Sequence, residues 1–155
     1  MRIAVIVSRF NEDVTSRLLD GALECLRDHG VRSRDQRVIW CPGAFELPQA
    51  ADALLRRRQW DGVVCLGAVI RGETAHFEYV ASGAAQGIQL TALKFGIPVG
   101  FGVLTTDTLE QAMDRSGGRH GNKGRDTAAA VISMVQIQKD MDAARKRKRS
   151  GRKQR

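Results

Sequence analysis

The sequence predicts an α/β protein in which a parallel sheet of four strands is covered by helices on both faces. Apolar runs of strand length alternate with helix-length amphipathic patterns in the order βαβαβαβαα. The run Val63 to Ile70 has no polar break, as in a strand buried on both sides. Turn residues separate the runs, including Gly30, Pro42-Gly43 and Asp61-Gly62.

Ile3 to Val7 is the first strand. Asn11 or Asp13 can cap a helix whose inward face is Val14, Leu18, Leu19, Ala22 and Leu26, ended by Gly30. Val38 to Cys41 is the second strand. Pro42-Gly43 turns the chain into a helix that tolerates Pro48 only in its first turn and points Leu47, Ala51, Leu54 and Leu55 inward. Val63 to Ile70 is followed by a helix from Phe77 to Phe95, rich in small residues at its middle: Ala81, Ser82, Gly83, Ala84, Ala85 and Gly87. Those small residues suit close packing on the chain's own sheet or against another copy. Val99 to Leu104 is the fourth strand. Thr106 or Asp107 caps a short helix from about 108 to 116, and Asp126 to Arg145 forms the last helix.

A chain of 155 residues can bury a core without disulfides or structural metals. Three cysteines, at 25, 41 and 65, sit inside apolar patterns without C-x-x-C spacing, which predicts a reduced, cytoplasmic setting. Ile3 to Val7 is too short for a signal-peptide core or a membrane span. The net charge of +8 has a local origin. Residues 145–155 hold eight Lys and Arg and no acid; removing those eight from 25 leaves 17 basic residues against 17 acidic ones. The body (residues 1–144) is therefore formally neutral, and the basic tail (residues 145–155) is expected to be disordered. A nucleic-acid-binding scaffold is disfavoured by that neutral body, and nucleic acid could be met only through the tail.

Gly72-Glu73-Thr74-Ala75-His76 joins the third strand to its helix. Helix N-termini attract anions, glycine permits close approach, threonine adds a hydroxyl, and histidine exchanges protons near neutral pH. The same residues also suit a plain turn and cap. Glu73 would repel an anion through its side chain, so its part would fall to a backbone N–H. Gly117 to Gly124 lacks the Gly-Lys-Ser/Thr of a phosphate loop, and no G-x-G-x-x-G follows a strand. A flexible loop, or an anion site flanked by Arg115 and Lys123, both fit it. Among eight aromatics (five Phe, two Trp and one Tyr), Phe10 and Phe45 stand near strand ends and could stack on a planar ring; Glu46 could accept from ligand hydroxyl or N–H groups. Histidines 29, 76 and 120 have no metal-ligand spacing, so no metal site is expected.

Ser8-Arg9-Phe10-Asn11, Pro42 to Glu46, Gly67 to His76, Phe101 to Thr106 and Gly121 to Gly124, in that order and spacing, closely resemble the lumazine synthase family of riboflavin biosynthesis over about residues 2 to 142. The resemblance implies a flavodoxin-like three-layer sandwich, assembled as pentamers and in many members as sixty-subunit shells. It implies condensation of 5-amino-6-(D-ribitylamino)uracil with 3,4-dihydroxy-2-butanone 4-phosphate, giving 6,7-dimethyl-8-ribityllumazine, phosphate and water, without a cofactor. By the same resemblance Phe10 stacks on the pyrimidine, Ala44, Phe45 and Glu46 hold the ribityl side, and Ala68, Val69 and Ile70 line the ring pocket. Glu73 and Thr74 take the phosphate, and His76 moves protons. Phe101, Arg115 and Lys123 come from the adjacent chain. The chain begins almost directly with strand one, without the N-terminal strand some members add to a neighbour, so a pentamer is the expected assembly. Association with riboflavin synthase is a further implied partnership. The competing expectation is a flavodoxin-like module that holds a flavin or nucleotide without turnover.

Overall fold

All four main strands run in one direction, and their order is set by where the helices cross between them. The computed structural model describes residues 1–152. In chain order the elements are β1 (Ile3–Ser8), α1 (Glu12–Asp28), β2 (Gln36–Cys41), α2 (Leu47–Leu55), β3 (Gly62–Ile70), α3 (His76–Phe95), β4 (Val99–Thr106), α4 (Leu109–Asp114), β5 (Ser116–Gly118), β6 (Gly121–Asn122) and α5 (Lys123–Arg152). The sheet order is β2-β1-β3-β4, all parallel, with Val5 opposite Val38 and Val64, and Leu66 opposite Gly102. This is the flavodoxin-like α/β sandwich that the sequence predicts.

Alternate side chains along each strand feed two cores. Ile3, Val5, Val7, Val64, Leu66 and Leu104 meet Val14, Leu18, Ala22 and Leu26 of α1 and Ala128, Val131 and Val135 of α5. Ala4, Ile6, Val63, Cys65 and Val103 meet Leu47, Ala51 and Leu55 of α2 and Ala84 and Ile88 of α3. Strand β3 is buried on both faces over almost its whole length, as its unbroken apolar run requires. Each such fully buried Val, Leu or Ile contributes about 1.5–3 kcal/mol.

α5 lies unusually close to β4. A Cβ at Gly100 would come within 2.6 Å of Thr127 and Val131 side-chain carbons, so the missing side chain sets the spacing. The glycine-rich segment before α5 is a small antiparallel hairpin rather than the flexible loop that was one of its two readings, with Ser116 opposite Asn122. Asn122 closes it: Oδ1 accepts from the N–H groups of Gly124 (2.9 Å) and Arg125 (3.2 Å), capping α5, while Nδ2 donates to the Arg17 carbonyl (2.9 Å).

Several boundaries differ from the sequence reading. β2 starts at Gln36 and β4 ends at Thr106, because backbone pairing continues past the apolar run. Thr108, not Thr106 or Asp107, caps α4, its Oγ1 accepting from the Gln111 N–H at 3.1 Å. α5 starts at Lys123 and continues through Arg152, beyond the predicted limits at Asp126 and Arg145. Ala143, Ala144 and the Arg and Lys that follow are strong helix formers, with no glycine before Gly151. Residues 153–155 of the basic tail lie outside the described residues. No helix among the described residues is long and apolar enough to cross a membrane.

Candidate functional site

Parallel sheets leave a crevice at their carboxyl edge where neighbouring connections depart in opposite directions. Here that point is between β1 and β3, since the chain passes from β1 outward to β2 and then returns to β3. A cavity of about 670 Å³ opens there.

The loop after β1 supplies Phe10. Its N–H donates to the Pro42 carbonyl at 3.0 Å, and the Asn11 side chain donates to the Ala68 carbonyl at 2.9 Å. Asn11 occupies the N-cap position of α1 but spends its amide on this tie rather than on capping. Phe10 is thus anchored by its own N–H to the end of β2 and by its neighbour Asn11 to β3, while the residue stays 72 % exposed. After β2, Ala44, Phe45 and Glu46 form one turn of 3-10 helix leading into α2. The ring of Phe45 lies across Gly83 of α3, where a Cβ would approach it to 2.7 Å. This contact and that of Gly87 with Pro48 give two of the small residues of α3 a role within the chain.

The end of β3 supplies Ala68, Val69 and Ile70, and the β3–α3 loop and the first residue of α3 bring Thr74 and His76 to the same cavity. The positive end of the dipole of a 20-residue helix biases this corner toward an anion. Pro42, Gly43 and Gly72, which belong to the motifs read from sequence, complete the lining together with Phe77, Tyr79 and Val80, for which the sequence suggested no site role. Tyr79 and Val80 follow His76 by three and four positions, so helical spacing alone would have placed them beside it.

Four residues of the expected set stand outside this lining. Glu73 is exposed in the loop next to Thr74. Phe101 projects from the edge strand β4 and is half-exposed. Arg115 ends α4 and Lys123 begins α5, both exposed, and the Lys123 N–H donates to the Arg115 carbonyl at 2.9 Å. Those two cations form one pair on the β5–β6 hairpin, which is tied to α1 by Arg17 and Asn122.

Cys41 adjoins the cavity at the end of β2. Burial, reinforced by the nearby Glu46 charge, pushes its thiol up to about 11, so it stays protonated at neutral pH and is no nucleophile. All three cysteines are free and buried. The described residues hold no cluster of three His, Cys, Asp or Glu side chains able to bind a metal ion.

The aromatic walls, the polar corner at a helix start and the opening at the carboxyl edge suit a planar ring carrying an anionic group. The family model described as 6,7-dimethyl-8-ribityllumazine synthase matches residues 1–139, and the chain therefore belongs to that family of transferase-type enzymes of riboflavin biosynthesis.

Proposed function

We propose that the protein condenses 5-amino-6-(D-ribitylamino)uracil with 3,4-dihydroxy-2-butanone 4-phosphate to form 6,7-dimethyl-8-ribityllumazine. The observation that carries this reading is the meeting of Phe10, Ala44, Phe45, Glu46, Ala68, Val69, Ile70, Thr74 and His76 around one cavity in a chain of this family. Phe10 stacks on the pyrimidine, and Ala44 to Glu46 hold the ribityl chain. The Glu73 and Thr74 backbone, with the Thr74 hydroxyl, takes the phosphate.

The amino group attacks the ketone carbon, and the carbinolamine loses water to give an imine. Phosphate then leaves, and ring closure expels water. Each step needs alignment and a proton relay, which His76 at the cavity edge supplies without a cofactor. Phe101, Arg115 and Lys123 complete the site from the neighbouring chain of a pentamer, with Arg115 balancing the departing phosphate. Larger shells and association with riboflavin synthase extend the same assembly. Catalysis belongs to residues 1–144 in the cytoplasm, a setting in accord with three unpaired cysteines. The basic segment 145–155 stands apart from it.

The test is to supply both substrates to the purified protein and follow lumazine absorbance together with phosphate release. Equal amounts of lumazine and phosphate are expected. Tight flavin binding with neither product would instead identify a non-catalytic flavin-holding module.

A further inference from the structure

The segment that carries Thr74 and His76 has little holding it from within. Gly72, Glu73, Thr74 and Ala75 are exposed, and α3 starts without a side-chain cap. The His76 N–H meets Thr74 Oγ1 at 3.4 Å, long for a hydrogen bond.

Arg71 grips this segment from outside. Its N–H donates to the Thr106 carbonyl at 2.8 Å, carrying the β3–β4 pairing one residue further. Its Nε donates to Asp107 Oδ1 at 2.8 Å and its Nη1 to Glu78 Oε1 at 2.5 Å. The guanidinium also lies 4.3 Å from the centre of the Phe77 ring, a cavity wall. One planar group thus joins the end of β4, the first turn of α3 and the cavity lining. Arg71 itself is not part of that lining, and two carboxylates engage its donors.

We infer that Arg71 is a positioning residue: by fixing the 72–76 segment from both ends it sets the affinity of the cavity for the phosphate-bearing substrate. The inference rests on the reading in which Thr74 and the adjoining backbone receive that phosphate. Exposed ion pairs contribute little to overall stability, so the effect of this one lies in local geometry. Lysine keeps the charge, but it cannot span two carboxylates as a fork or stack on Phe77 as a plane.

The experiment compares the wild type with Arg71→Lys and Asp107→Asn in steady-state kinetics, varying each substrate and recording native mass and melting temperature. For Arg71→Lys, KM for the butanone phosphate should rise about 10-fold while KM for the pyrimidine moves less than about 2-fold. The inhibition constant of inorganic phosphate should rise by the same factor, and Asp107→Asn should fall between the two. Unchanged constants in Arg71→Lys would overturn the inference. So would equal losses toward both substrates accompanied by a lower melting temperature, since that describes general destabilisation. If the wild type makes no lumazine, the enzymatic reading fails on its own, and amide hydrogen exchange over residues 72–76 decides the clamp. Faster exchange in Arg71→Lys supports it, and unchanged exchange refutes it.

Discussion

Asn11 lets an aromatic ring stand free at the mouth of a cavity. Its φ of 59° and ψ of 48° turn the chain sharply after Phe10, in a left-handed conformation that asparagine tolerates better than most residues. Replacing it with a β-branched residue would lose both the turn and the tie to Ala68. At this scale the proposed chemistry assigns His76 to proton transfer, one contribution beside substrate alignment. His76→Ala should therefore keep its assembly and turn over about 10- to 100-fold more slowly. Steady-state kinetics beside native mass would check this, and loss of all activity in an intact assembly would mean that alignment contributes less than claimed. The cavity residues at the ends of β1, β2 and β3 were legible because they stand where an apolar run ends, which is where parallel strands deliver their loops. Phe77 was less legible. It reads as the first apolar residue of a helix, and only the fold turns it into a wall beneath Arg71.

Element packing depends on glycines that periodicity does not flag. A Cβ at Gly124 would collide with the Leu18 carbonyl, so α1 and α5 meet through bare backbone there. Alanine is the better helix former by about 1 kcal/mol, whereas overpacking costs about 1–3 kcal/mol, and packing should win. Gly124→Ala should lower the melting temperature by about 2–8 °C, as followed by circular dichroism. An unchanged or higher value would mean that α5 docks more loosely than its contacts with α1 imply. The same glycines explain why this region was hard to read. Gly117, Gly118, Gly121 and Gly124 mask a hairpin too short for an alternating pattern, and Asn122 signals a helix start only once its partners are known. β2 was misjudged for another reason. Edge strands tolerate polar side chains such as Gln36 and Arg37, so pairing extends beyond the hydrophobic signal. The long strand β3 and the inward face of α1 were plain, because burial on both sides or at a 3.6-residue period writes itself into composition.

For the whole molecule, the decisive fact is that Arg115 and Lys123 share a hairpin while the cavity of their own chain is lined by other residues. Exposed Tyr79, Leu90, Leu93 and Phe101 also leave more apolar surface around α3 and β4 than an isolated subunit needs, which supports an assembly that covers them. If each site takes Phe10 and His76 from one chain and Arg115 from the next, defects on the two sides must complement each other. A Phe10→Ala, His76→Ala chain and an Arg115→Ala chain should each form nearly inactive oligomers. Unfolded together in equal amounts and refolded, they should regain about a quarter of wild-type turnover, because half of the cavity donors meet half of the intact Arg115 donors. Simple mixing of the folded oligomers should restore little until subunits exchange. Recovery only to the average of the two parents would mean that each chain builds its site alone, and Arg115 would then have to reach the cavity of its own subunit by a rearrangement of the β5–β6 hairpin, breaking its ties to α1.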